Sequence, residues 1–112
     1  LSGVVSPMAY RVLFVSRAER GFKRLSADVQ DRIILEINLL TEDPRPAGAV
    51  KLTGSDNLYR VRVGDYRVIY AVEDDFLVVL IVEVGHRRGI YRKPDKKLTR
   101  QFLRSLIKNK IQ

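Results

Sequence analysis

Arg60, Arg62 and Arg67 lie close together in the chain, and His86-Arg87-Arg88-Gly89-Ile90-Tyr91-Arg92 follows about twenty residues later. A guanidinium donates paired hydrogen bonds to phosphate oxygens and stays charged at any working pH, so these arginines suit a phosphodiester. Tyr91 adds a ring on which an unpaired base can stack, which favours single-stranded RNA. The ribose 2′-hydroxyl would then serve as an internal nucleophile, with no need for a metal or a covalent enzyme intermediate. Cleavage by that route calls for a proton acceptor, a charge clamp and a proton donor. His86 is the single histidine and the one side chain whose ordinary pKa lies near neutrality, which makes it the candidate acceptor. The competing reading is plainer: arginines spread on a solvated sheet face, and a structural or exposed histidine at a strand end. Glu73 and Glu83 read as strand-surface carboxylates, not as acid/base groups.

Three strands must hold these residues. Leu58 to Val63 and Tyr66 to Glu73 alternate across Gly64-Asp65, and an apolar run from Phe76 to Val84 follows across Asp74-Asp75. The pattern predicts a three-stranded antiparallel meander. With two-residue turns, Val63 faces Tyr66, Arg62 faces Arg67 and Val61 faces Val68. Arg60, Arg62 and Arg67 then share one face, while Tyr59, Val61, Val68 and Tyr70 share the other. Two guanidinium groups opposite each other destabilise a sheet by up to about 1 kcal/mol, so an anion is expected between them. Strict alternation along the third strand turns Arg87 away from Arg67, and a bulge at Gly85 would restore the parity.

At 112 residues the chain is one domain with room for a real core. Its net charge of +8 is concentrated: residues 86 to 112 carry ten bases against the single acid Asp95. That region suits a polyanionic partner. The absence of cysteine excludes a disulfide framework and a cysteine-based zinc site. No apolar run approaches the ~20 residues of a membrane span, and nothing resembles a cleavable signal, so a cytoplasmic location is expected. Leu1 to Pro7 reads as an appended or disordered N-terminus before Met8-Ala9, and 8–112 as the folded domain.

Ahead of the meander, Tyr10 to Val15 predicts a strand. Ser16 and Glu19 form a capping-box pattern for a short helix through about Leu25. Ser26 caps a second helix through about Glu42, with Val29, Ile33, Ile37 and Leu40 on one side and Leu35 and Leu39 on another. An apolar stripe on two sides predicts a helix wedged between the sheet and the preceding helix, the pair forming a hairpin on one sheet face. Asp43-Pro44-Arg45-Pro46 ends it, and the connection from Pro44 to Asn57 is expected on the surface, near the ligand. Beyond Lys93-Pro94-Asp95, a last helix over about 96–110 presents Leu98, Phe102, Leu103, Leu106 and Ile107 on an apolar arc. Lys97, Arg100, Arg104 and Lys108 form its basic ridge. The fold class is therefore α+β.

These segments together are familiar. The strand, helical hairpin and proline loop, K-L-x-G from Lys51 to Gly54, L-Y-R-V-R-V-G-D-Y-R-V-I-Y from Leu58 to Tyr70 and V-G-H-R-R-x-x-Y-R from Val84 to Arg92 resemble the RelE/ParE superfamily of type II toxins. The resemblance runs from about Tyr10 to Arg92 and is closer to the RelE branch, whose members cut mRNA in the ribosomal A site and leave a 2′,3′-cyclic phosphate. It implies phosphate binding by Arg67, assistance to the leaving 5′-oxygen by Arg87 and base stacking by Tyr91. Arg60 and Arg62 stand where the best-studied members have lysine, and arginine is a poor general base, so His86 is the substitute candidate. Arg88, Arg92 and Lys51 join Arg60 and Arg62 as RNA-binding residues. No metal or cofactor is implied. The implied partners are the ribosome, mRNA and a RelB-like antitoxin, through which the complex would bind its operator DNA. The alternatives are a ParE-like inhibitor of DNA gyrase and a non-catalytic RNA-binding module.

Overall fold

Alternating β-branched and charged residues build the centre of the molecule. The computed structural model describes residues 9–55, 57–86 and 104. Its elements are strand β1 (Arg11–Phe14), helices α1 (Ser16–Lys23) and α2 (Ala27–Leu39), and strands β2 (Val50–Lys51), β3 (Leu58–Val63), β4 (Tyr66–Glu73) and β5 (Val78–His86). They form one sheet in the order β1-β5-β4-β3-β2. β1 runs parallel to β5, and the other neighbours are antiparallel. The α+β meander with a helical pair on one face is thus as expected. Leu1 to Pro7 and the predicted 96–110 helix, Arg104 apart, lie outside the described residues.

The helices cover one face of the sheet. Ala18, Ile33, Ile37 and Leu40 pack there on Val61, Val68, Tyr70, Val79 and Ile81, all buried. Leu35 and Leu39 are 66% and 62% exposed, so α2 is not wedged between two layers; its second apolar side meets solvent. The opposite face divides into two zones. Leu58, Ile69, Ala71, Val78 and Leu80 make a second buried cluster toward one end of the strands, and the arginines occupy the other end. Central strands buried on both sides explain why the third strand reads as an almost unbroken apolar run.

Local chemistry moved two helix boundaries. Val15 N–H still donates to Ile81 O at 3.0 Å, continuing the strand pairing, while Val15 O already accepts Glu19 N–H at 3.0 Å. Strand therefore passes directly into helix, Val15 is the N-cap, and Ser16 is the first helical residue with no side-chain cap bond. Glu19 pairs with Lys23 at 3.2 Å instead of closing a capping box. The Ser26 cap does form, its hydroxyl accepting from Val29 N–H at 3.4 Å, and α2 ends at Leu39, short of Glu42.

The β4–β5 connection is longer than two residues. Asp74–Phe76 forms a 3₁₀ turn, Leu77 takes the left-handed conformation at φ 54°, and β5 begins at Val78 rather than Phe76. Asp74 is the reason: Arg45 donates to both its carboxylate oxygens at 3.1 and 2.7 Å, and the Tyr10 hydroxyl donates to one at 2.5 Å. Arg45 also donates to the Tyr59 hydroxyl at 2.9 Å, and Tyr70 donates to Pro44 O at 2.8 Å. This network pins the loop after α2 to the end of β4 remote from Arg67, so the start of the Pro44–Asn57 connection lies away from the arginine zone.

Gly21 of α1 rests on β5 so closely that a Cβ would stand 2.7 Å from Val84 O, a backbone atom. Gly21→Ala should cost about 1–3 kcal/mol in urea unfolding as the helix is pushed off the strand. Hydrogen bonds from Arg45 and then Tyr10 hold the Asp74 carboxyl below its usual range. A depressed folded-state value stabilises above the unfolded value and loses that stabilisation as pH falls through the folded one, so the window lies below about pH 4. Because the Arg45 and Asp74 side chains are 41% and 55% exposed, the effect should be about 1 kcal/mol or less, read as a flatter acid-unfolding curve for Asp74→Asn.

Candidate functional site

The β3–β4 hairpin sets the site. Gly64 has φ 60° while Asp65 stays out of the left-handed region, the pattern of a type II′ turn with glycine at its first central position. The register is the predicted one: Val63 faces Tyr66, Arg62 faces Arg67, Val61 faces Val68 and Arg60 faces Ile69. In such a hairpin the pair next to the loop is hydrogen-bonded, which makes Arg62 and Arg67 a closely approaching pair, with Cα atoms about 4.5 Å apart. Arg60, Arg62 and Arg67 therefore project from the same sheet face, the one without the helices. The Arg60 Nε is buried and donates no hydrogen bond.

The third strand carries a register shift. Ile69 faces Glu83 but Tyr70 faces Ile81, so Val82 is an extra residue on β5. The shift, together with the longer β4–β5 turn, puts Gly85 opposite Arg67. The parity change expected at Gly85 is thus supplied three residues earlier. Its further effect is to place Glu83 on the arginine face. Glu83 contacts Arg67 at 3.6 Å and Arg17, from the start of α1, also at 3.6 Å. Arg67 and Glu83 are mostly buried, with side chains 11% and 13% exposed.

Two expected members stand elsewhere. His86 faces Tyr66, and their rings meet edge to face at 5.4 Å; Tyr66 packs against the helix-side core. Because side chains alternate along β5, His86 lies on the helix side, across the sheet from the arginines. Lys51 pairs with Tyr59, which also faces the helices, so Lys51 is directed away from Arg60; Val50 is its neighbour on the arginine side. Arg87, Arg88, Tyr91 and Arg92 lie outside the described residues. A cavity of about 390 Å³ between α1 and α2, lined by Phe14, Phe22, Gln30 and Ile34 among others, contains none of the arginines. The placing of Glu83 beside Arg67 and Arg17 leaves no local pattern in the sequence, because it depends on a bulge and on a contact from a distant helix.

Residues 12–91 match the family described as ParE toxin of type II toxin-antitoxin system, parDE. The chain belongs to the RelE/ParE superfamily of type II toxins. The mRNA interferase toxin RelE of Escherichia coli (strain K12) is 32% identical over 82 residues, a match covering 71% of this chain and 85% of that protein. The archaeal RelE of the RelE-RelB complex from Pyrococcus horikoshii OT3 superposes with a TM-score of 0.64 at 30% identity, covering 73% of this chain and 99% of that one. RelE in the intact E. coli RelBE toxin-antitoxin complex gives 0.65 at 29% identity, covering 75% and 100%.

In this RelE-like sheet the facing arginines should trade stability for anion binding. Arg62→Glu replaces a like-charged cross-strand pair with an opposite one and should raise stability by several tenths of a kcal/mol in low-salt thermal denaturation. The same variant should lose the stabilisation that the wild-type chain gains from added phosphate or oligoribonucleotide.

Proposed function

We propose that this chain is the toxin of a type II toxin-antitoxin system, an endoribonuclease that cuts mRNA on the ribosome. The observation that carries this reading is the convergence of Arg60, Arg62 and Arg67 on one face of a RelE-type sheet. Those guanidinium groups grip the scissile phosphate and neutralise the charge that builds on its oxygens as the linkage breaks. Arg87 assists the departing 5′-oxygen, and Tyr91 stacks on a base and orients the 2′-hydroxyl. Arg88 and Arg92 bind the neighbouring RNA backbone. The products are a 2′,3′-cyclic phosphate and a 5′-hydroxyl, formed without metal participation.

The names of the relatives supply the partners: an mRNA interferase in one case and complexes of RelE with RelB in others. The proposed antitoxin is accordingly RelB-like, and operator binding by the complex belongs to the antitoxin. An acidic antitoxin segment would suit the ten bases from His86 onward. Among the described residues no helix is long and apolar enough to cross a membrane. A ribosomal target places the activity in the cytoplasm.

Primer extension on mRNA undergoing translation tests target and chemistry together. Wild-type protein should produce discrete cuts, and Arg67→Ala should lower the cleavage rate by at least about 100-fold. Binding should weaken steeply with salt, because each neutralised phosphate releases counterions. Intact mRNA with inhibited DNA supercoiling would instead identify a gyrase inhibitor, and ribosome binding without cutting a non-catalytic RNA-binding module.

A further inference from the structure

The arginines on this face supply no proton acceptor for the proposed cleavage, because guanidinium stays protonated at any working pH. The histidine lies on the helix side of the sheet against Tyr66. On the arginine side, among the described residues, Glu83 is a carboxylate that touches Arg67. We propose that Glu83 is the general base that takes the 2′-hydroxyl proton, an inference that rests on the nuclease reading above.

The geometry separates the two carboxylate oxygens. Oε2 points toward Arg17, 3.6 Å away, and accepts no hydrogen bond; Oε1 points toward Arg67, also 3.6 Å away. Both distances exceed a hydrogen bond, so the arginines hold the carboxylate in place without using up its lone pairs. Arg17 comes from α1 and meets the other carboxylate oxygen, so its contact with Oε2 does not depend on where Arg67 points. Arg67 is the arginine that a phosphate would draw forward, and as it turns to the phosphate oxygens it releases Oε1 beside the incoming sugar. The side chain is only 13% exposed, so little water competes for that atom. The Val82 bulge is what directs Glu83 to this face: it places Glu83 opposite Ile69 and Gly85 opposite Arg67.

In the step itself, Glu83 Oε1 accepts the proton of the 2′-hydroxyl while O2′ forms a bond to phosphorus. The bond from phosphorus to O5′ breaks, its electron pair leaves on O5′, and a proton from water completes the 5′-hydroxyl. The protonated Glu83 then returns its proton to solvent. Arg17 acts through Glu83 and is a positioning residue.

The experiment compares wild type, Arg67→Ala, Glu83→Gln, Glu83→Ala and His86→Ala in the translation-coupled cleavage assay, with co-sedimentation on mRNA-programmed ribosomes measured for each. Glu83→Gln should bind within about threefold of wild type yet cut at least about 100-fold more slowly. Added formate should restore part of the cleavage by Glu83→Ala in a concentration-dependent way, a rescue that a purely structural role would not give. Cleavage by Glu83→Gln at near wild-type rate overturns the assignment. So does a parallel loss of binding and cutting without formate rescue, or loss confined to His86→Ala. A wild-type protein that binds but does not cut would sink the nuclease reading itself, an outcome distinct from all of these.

Discussion

The register between β4 and β5 governs what this molecule can do. Side chains in a strand alternate strictly, so a single extra residue exchanges the faces of everything downstream. Val82 is that residue, and with it Glu83 and Gly85 fall on the side of Arg67 while His86 falls on the side of Tyr66. Strict alternation of the same residues from Ile81, with no bulge, would carry the carboxylate to the helix side and turn the imidazole to the arginine face. The chemistry available to the arginine face is therefore decided by backbone geometry at a position that carries no reactive group.

Replacing an amine by a guanidinium changes what a phosphate site can offer. Arg60 and Arg62 supply a rigid, permanently charged fork that grips oxygen anions well but does not exchange protons. A site built from such groups concentrates the electrostatic contribution and requires a different side chain for proton transfer. Glu83 sits between Arg67 and Arg17 in a mostly buried position. Burying charges is costly unless they are paired, and this arrangement meets that requirement while leaving the carboxylate oxygens able to receive a proton.

Much of this was legible in the chain. The β3 and β4 boundaries, the Gly64 turn and the facing of Arg62 by Arg67 follow from alternation plus turn chemistry, both of which act over a few residues. The Ser26 cap was readable for the same reason. What escaped involves partners far apart in sequence. Asp74-Asp75 carries the residues of a tight turn, but Arg45 and Tyr10 hold Asp74 in a wider one. Ser16 carries a cap signature, yet the pairing of Val15 with β5 starts the helix one residue early. Leu35 and Leu39 look like core and stand in solvent, since periodicity marks an apolar stripe without saying whether anything covers it.

The close seating of Gly21 on the Val84 carbonyl has an effect on how this scaffold can diversify. It makes the first helix a mechanical stop for the strand that delivers the acidic group to the arginine face. Substitutions around Gly21 can thereby retune the position of the carboxylate through small displacements while the chemical inventory of the arginine face stays constant.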